Sequence, residues 1–390
     1  MKSEFMYTPL DDIYDKELRR QASTVELIAS ENFVSPRVLK YLGSEFTNKY
    51  TEGYPGKRYY GGCEFYDKLE TYCQELWKDV FSTTYHVNVQ PHSGTSANLA
   101  AISAVVNPGE TILSMSLDSG GHLSHGALVS QVGKLYNIVN YGVDDDGWID
   151  YDKVAKLADQ CQPKLIICGA SAYSRKIDYI RFAEIARSVN AYLLADIAHV
   201  AGLIAANKLP SPFGYADIIT STTQKTLRGP RGGLIFCVPE LAKKIDSAVF
   251  PGTQGGSLMN VIAAKAACAE EALEPEFVDY IDEVMYNAKA MAARFMSHGY
   301  NVITDGTDNH MFLVDLQGTG LTGIDVQNEL ERNGITLNKN AIPNDPLPPS
   351  KTSGIRIGTP AMTTRGWKSY NFCECADNIC KTLDEMRAAL

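Results

Sequence analysis

Two apolar runs that each end in a reactive group constrain this chain more than any other feature. Leu193-Leu194-Ala195-Asp196-Ile197-Ala198-His199 reads as a buried strand that stops at an acid. Ile218-Ile219-Thr220 leads into Ser221-Thr222-Thr223-Gln224-Lys225-Thr226-Leu227-Arg228-Gly229-Pro230-Arg231-Gly232-Gly233, where a lysine sits among small hydroxylated residues before a glycine-rich turn. Asp196 precedes Lys225 by 29 residues, a spacing that suits successive strand ends of an α/β sheet joined by a helical crossover. A lysine in such a setting can bond an aldehyde cofactor, and the acid can pair with a protonated pyridine nitrogen, as pyridoxal phosphate requires. Taken singly, each residue has a plainer reading. Most lysines are solvated surface charges, and an acid after an apolar strand is often a helix cap.

From about residue 110 to 240, short apolar strands alternate with helical patterns. The candidate strands are Thr111-Ile112-Leu113, Leu135 to Val139, Leu165 to Cys168, Tyr192 to Ala195 and Leu234 to Val238. This alternation predicts a mostly parallel sheet covered by helices. Tyr66 to Phe81 is apolar at helical spacing, and long helical patterns fill 257 to 298. Shorter elements follow, a strand at Met311 to Leu316 and a helix at Gly323 to Glu331, which predict a second, smaller α/β domain. Ser93-Gly94-Thr95 opens a helical run to Val106, an arrangement that can cradle a phosphate at a helix N-terminus or simply cap the helix. The expected division is an arm over 1–55, a large domain over 56–270 and a small domain over 271–390.

The bulk properties exclude several classes. A net charge of −10 argues against nucleic acid as the main partner, since phosphate backbones want a basic face. The nine cysteines are odd in number and scattered, which predicts reduced thiols and a cytoplasmic protein. Cys373-Glu374-Cys375 with Cys380 matches no zinc spacing and reads better as helix cysteines than as a metal cluster. Met1-Lys2-Ser3-Glu4 is followed by no apolar stretch, so no signal peptide is expected, and with no run of about 18 apolar residues no membrane span is expected either.

The sequence closely resembles serine hydroxymethyltransferase along nearly its whole length. The resemblance rests on Glu26-Leu27-Ile28-Ala29-Ser30-Glu31-Asn32 and on Thr47-Asn48-Lys49-Tyr50-Thr51-Glu52-Gly53-Tyr54-Pro55-Gly56-Lys57-Arg58-Tyr59-Tyr60-Gly61-Gly62. Val89-Gln90-Pro91-His92-Ser93-Gly94, Gly120-Gly121-His122-Leu123 and Asp196 to Gly202 extend it, and Gly306 to His310 and Gly354 to Pro360 complete it. It implies the type I pyridoxal-phosphate-dependent transferase (aminotransferase-like) fold, with a large, mostly parallel seven-stranded sheet domain and a smaller C-terminal α/β domain. It also implies a homodimer with shared active sites, acting on L-serine, glycine and tetrahydrofolate, with no nucleic-acid or membrane partner.

Residue by residue, the resemblance makes Lys225 the imine-forming lysine and Asp196 the partner of the pyridine nitrogen. His122 becomes the ring stacked on the cofactor. His199 and Ser171 fall near its phenolic oxygen, Ser93, Gly94 and Thr95 on its phosphate, and Thr222 among the cofactor contacts. Tyr50 and the glycines near Gly255-Gly256 are implied to come from the neighbouring subunit. Arg356 is implied to clamp the substrate α-carboxylate through two parallel hydrogen bonds, helped by Ser30; without the resemblance, a strand-edge salt bridge would be the plainer reading. Glu52 is implied to move a proton between the serine hydroxyl and tetrahydrofolate, with Tyr59 and Tyr60 lining the pocket. Leu117, Gly121, Leu123 and Asn340 are implied at the folate end.

The chain departs from the family at three positions. Gln224 stands where histidine usually precedes the lysine, Asn260 where histidine usually follows Leu-Met, and Ser119 at a variable position that is often histidine. The alternatives are a folate-free relative (a threonine-type aldolase or a transaldolase), an α-methylserine hydroxymethyltransferase, and a catalytically weak relative kept for binding. Glu52, Tyr59, Tyr60 and Asn340 argue against the folate-free versions; Lys225, Asp196 and Arg356 argue against the last.

Overall fold

Seven strands form the sheet that positions everything else. The computed structural model describes residues 7–390, so the Met1-to-Glu4 start lies outside the described residues. In chain order the strands are β1 (His86–Asn88), β2 (Thr111–Met115), β3 (Asn137–Tyr141), β4 (Leu165–Cys168), β5 (Tyr192–Asp196), β6 (Ile218–Thr222) and β7 (Gly233–Cys237). Their order across the sheet is β1-β7-β6-β5-β4-β2-β3. Only β7 runs against its neighbours, pairing antiparallel with β1 and β6. Every residue of β4, β6 and β7 is buried, as expected of strands covered by helices on both faces. Ile166, Leu193 and Ile219 face one core, and Leu165, Leu194 and Ile218 face the other.

The third strand begins two residues later than its apolar run suggests. Leu135 closes a short helix, Gln131–Leu135, and Tyr136 caps it, so pairing with β2 starts at Asn137. The helical stretch after residue 257 is two helices, Met259–Leu273 and Pro275–Ser297. Glu274 between them is extended (ψ 144°), because the residue before a proline is pushed out of the helical region.

A second sheet carries the small C-terminal layer. Its strands are β8 (Asn301–Val302), β9 (Met311–Asp315), β10 (Asn338–Asn340) and β11 (Gly354–Gly358), in the order β8-β9-β11-β10. The helix Pro275–Ser297 lends Phe277, Ile281 and Val284 to the first core and Met291 and Phe295 to the second. Leu27 also packs into the second core, with Val25 paired parallel to Ile335. Cys375 and Cys380 are buried in that core on the last helix, Ser369–Ala388, and Cys373 is half-buried there. These are the helix cysteines expected from the sequence. Among the described residues no helix is long and apolar enough to cross a membrane.

Candidate active site

Parallel strands end on one side of a sheet, and a crevice opens there. Asp196 is the last residue of β5, Thr222 the last of β6, and Ser171 lies three residues beyond β4. Around them lies a cavity of about 330 Å³ lined by Ser30, Ser93, Gly94, Thr95, His122, Ser171, Asp196, His199, Thr222, Lys225 and Arg356. The structure thus gathers eleven of the sequence-predicted residues in one place, although they span more than three hundred positions of chain.

Asp196 is the most heavily supported of them. Its Oδ2 accepts hydrogen bonds from Asn98 Nδ2 and His125 Nε2, both at 2.8 Å, and its Oδ1 accepts from the Ala198 N–H at 3.0 Å. Burial alone would raise its pKa, but His125, Asn98 and the nearby His122 outweigh burial and hold the carboxyl well below the usual carboxylate range. Asn98 is in turn gripped by Thr220, whose hydroxyl donates to its Oδ1 at 2.6 Å. Asn98 and His125 were not anticipated from the sequence. The sequence offers only an asparagine one turn past Gly94, on a helix that also carries Thr95, Ser96 and Ser103, and a second histidine three residues after His122, neither of which forms a pattern.

Lys225 is 8 % exposed, and its Nζ makes no hydrogen bond or salt bridge among the described residues. Its backbone is fixed instead: Asn32 Nδ2 donates to its carbonyl at 2.8 Å, and Arg228 N–H closes a turn on that carbonyl at 3.1 Å. Arg228 adopts φ +58°, unusual for a side chain of its size, with its guanidinium 4.0 Å from the Tyr280 ring centroid. Burial lowers the Lys225 pKa to about 8; Asp196 opposes this, while Arg356 and Arg231 add to it. The amine therefore becomes a free nucleophile far more readily than a surface lysine.

Ser93, Gly94 and Thr95 form the entry to the helix Gly94–Val105. Ser93 does cap that helix, accepting from Ser96 N–H at 3.2 Å. A side chain at Gly94 would collide with Thr222, since its Cβ would stand 2.5 Å from Thr222 Cγ2. Backbone N–H groups at such a helix start suit an anion. His122 is largely buried, and burial lowers its pKa to about 4, so the ring is neutral. Its Nδ1 lies 2.7 Å from Ser124 Oγ. His199 is buried against His310, Nδ1 to Nε2 at 3.3 Å, and burial with the nearby Lys225 and Arg356 keeps it neutral too.

Arg356 sits in the interior of the small sheet, paired on β11 with Leu313 on one side and Asn338 on the other. The strand-edge salt bridge weighed as its plainer reading is therefore not what forms. Nε donates to Asn338 Oδ1 at 3.0 Å and Nη1 to the Ser171 carbonyl at 2.5 Å. Among the described residues no carboxylate lies within salt-bridge distance of it, and burial alone lowers its pKa to about 10. A buried guanidinium without an anion is costly unless a ligand provides one. Ser30 is brought to the same pocket because the arm packs on β11: the Gly358 N–H donates to Leu27 O at 2.8 Å. Gln224, at the departure noted above, lines the pocket and accepts a weak bond from Gly232 N–H at 3.4 Å, as a neutral imidazole nitrogen could.

The remaining residues fall into two other groups. A cavity of about 980 Å³ is lined by Leu117, Gly121 and Asn340, and shares His122 and Ser171 with the first. Leu123 is exposed beside it and does not line it. Tyr50, Glu52, Tyr59, Tyr60, Gly255 and Gly256 lie outside both cavities of their own chain. Tyr50 and Tyr60 meet edge-on at 5.5 Å, Tyr59 meets Phe250 at 5.7 Å, and Gly256 packs on the Tyr50 ring.

A family model described as serine hydroxymethyltransferase matches residues 6–379. The chain belongs to the serine hydroxymethyltransferase family. A serine hydroxymethyltransferase of Halorhodospira halophila is 56% identical over 374 residues, covering 95% of this chain and 90% of the relative. Serine hydroxymethyltransferase 2 of Pseudomonas savastanoi pv. phaseolicola is 57% identical over 373 residues, covering 95% and 89%. That of Francisella tularensis subsp. novicida is 55% identical over 370 residues, covering 94% and 88%. Membership of the serine hydroxymethyltransferase family makes the chain an enzyme of the type I fold, and the seven-stranded sheet accords with it.

Proposed function

We infer that this family member transfers the hydroxymethyl carbon of L-serine reversibly to tetrahydrofolate, giving glycine and 5,10-methylenetetrahydrofolate, with pyridoxal phosphate as cofactor. The observation that carries the site assignment is one pocket that holds a buried lysine without a partner among the described residues, a largely buried carboxylate kept ionised, and a buried guanidinium without an anion among the described residues. These three match an aldehyde, a protonated pyridine nitrogen and an amino-acid carboxylate.

The residues fit the cofactor. Lys225 would bond its aldehyde carbon, Asp196 would hold the proton on its ring nitrogen, and His122 would stack on the ring. The Ser93-Gly94-Thr95 cradle would take the phosphate, with Thr222 beside it and His199 and Ser171 toward the phenolic oxygen. When bound, pyridoxal phosphate supplies an electron sink for the pair released as the serine Cα–Cβ bond breaks. Arg356 and Ser30 hold the α-carboxylate, and this grip selects which Cα bond stands ready to break. Leu117, Gly121 and Asn340 receive the folate in the adjoining cavity, and Leu123, which the resemblance also implied, is exposed outside its lining. Borohydride reduction followed by peptide mapping should leave the cofactor on Lys225; a label on another lysine would overturn the assignment.

The ordinary lysine value is 10.5 and that of Lys225 is about 8. A raised amine pKa would delay attack to higher pH, and a lowered one brings it forward. The rate at which apo-protein takes up the cofactor should therefore climb with pH up to about 8 and level off above it. A rate still rising tenfold per unit between pH 9 and 10 would contradict this.

The working enzyme is proposed to be a homodimer with shared sites. The helix Pro9–Ser23 buries none of its residues in its own chain and exposes Leu10, Ile13, Tyr14 and Leu18 along one face, an apolar stripe at helical spacing that a second copy could cover. Tyr50, Glu52, Tyr59, Tyr60 and Gly256, idle in their own chain, would then serve the partner's pocket. Glu52→Gln should largely abolish glycine formation from serine with folate. Folate-independent cleavage of a bulkier β-hydroxy amino acid should survive better, and equal loss of both would assign Glu52 a structural role instead. The division into an arm over 1–55 and domains over 56–270 and 271–390 is retained as part of this reading. Nine unpaired, mostly buried thiols support a reducing, cytoplasmic setting.

A further inference from the structure

One buried cation takes no part in the chemistry above. Lys265 lies on the helix Met259–Leu273 and is 1 % exposed. Its Nζ donates to the carbonyls of Val89 at 2.7 Å, Pro91 at 3.0 Å and Gly233 at 2.8 Å. All three ammonium donors are thus spent on backbone. No carboxylate lies within salt-bridge distance among the described residues. Burial lowers its pKa to about 8, opposed by Cys73 and Glu70 nearby, so it is charged at neutral pH.

The three carbonyls belong to one junction. Val89 and Pro91 carry the chain from β1 to the helix start at Ser93, and Gly233 opens β7 beside them. The β1–β7 ladder stops at Asn88 and Ile235, and Pro91 has no N–H with which to prolong it. Beyond it a single backbone bond among the described residues, Gly233 N–H to the Pro91 carbonyl at 3.1 Å, links the two segments, and the lysine adds three more. Two glycines are shaped to the arrangement: a Cβ at Gly232 would stand 2.4 Å from Lys265 Cε, and one at Gly233 would stand 2.3 Å from the Ser93 carbonyl. If this position served packing alone, an apolar side chain of similar length would avoid the cost of burying a charge.

We propose that Lys265 is a positioning residue for phosphate recognition, gathering three carbonyls beneath Ser93-Gly94-Thr95 so that the cradle keeps its anion-binding shape. The proposal rests on the reading that this cradle takes the cofactor phosphate. Lys265 does not line the pocket, so its effect passes through the backbone.

The test titrates apo-protein of the wild type, Lys265→Met and Lys265→Gln with pyridoxal phosphate and, separately, with pyridoxal. The wild type should strongly prefer the phosphorylated ligand. Lys265→Met should lose about tenfold or more of that preference, with pyridoxal affinity nearly unchanged, and Lys265→Gln, which keeps two donors, should fall between. An unaltered preference in both variants, or equal loss of affinity for both ligands, would overturn the positioning role. So would failure of both variants to fold, which would make Lys265 a structural core residue. A wild type that binds pyridoxal as tightly as pyridoxal phosphate, with no competition from inorganic phosphate, would instead overturn the cradle reading itself.

Discussion

Lys225→Ala is expected to lower glycine formation from serine by roughly a thousandfold or more and to leave a protein that no longer retains pyridoxal phosphate through purification. Lys225 Nζ makes no hydrogen bond or salt bridge among the described residues, so the substitution removes a reactive group and not a structural bond. Its neighbours Thr223 and Thr226 keep their own bonds, to the Pro230 carbonyl at 2.5 Å and the His199 carbonyl at 3.1 Å. The apo-protein should therefore melt no lower than the wild-type apo-protein, since an amine whose pKa burial has lowered is a cost to the fold. Activity and thermal unfolding measured side by side check both halves. A collapse of the melting temperature together with the activity would mean that Lys225 holds the loop together.

The second large effect is expected at Arg356. Arg356→Lys keeps the charge but loses the planar fork, so two parallel bonds to a carboxylate become one. The KM for serine should rise about a hundredfold, equivalent to about 2.7 kcal/mol, while the cofactor spectrum remains. The protein contacts to Asn338 and the Ser171 carbonyl show why lysine cannot copy the residue: they hold the guanidinium plane through Nε–H and one Nη1–H, and leave the second Nη1–H and both Nη2–H for a ligand. Steady-state kinetics with serine, alongside cofactor titration, decide the matter. A near-normal KM would show that the carboxylate is held elsewhere.

Much of this site was legible because its residues end strands. Asp196 and Thr222 close apolar runs that can only be interior strands, and Lys225 follows three residues later in a loop too rich in small residues to be solvated surface. The supports were less legible. His125 and Asn98 act on Asp196 through side-chain bonds at 2.8 Å from distant elements, and no local pattern marks them. Lys265 reads as an ordinary charge on an alanine-rich helix; only the fold reveals three carbonyls pointing at it. The start of β3 was misplaced because Leu135 and Tyr136 are apolar for a different reason, the packing of a short helix end. Arg356 looked like a strand-edge residue because β10 is three polar residues, Asn338-Lys339-Asn340, with no apolar alternation to announce a strand. Glu52, Tyr59 and Tyr60 could be picked out by resemblance, but their separation from Lys225 within one chain could not.

The most direct test of the account is the dependence of serine cleavage on folate. Purified protein loaded with pyridoxal phosphate is mixed with L-serine, with and without tetrahydrofolate, and glycine is measured. The account predicts rapid glycine formation only with tetrahydrofolate, because the cavity beside His122 and Ser171 must hold the acceptor of the one-carbon unit. Equal rates of glycine formation with and without it would contradict the account and make the chain a folate-independent aldolase on the same fold.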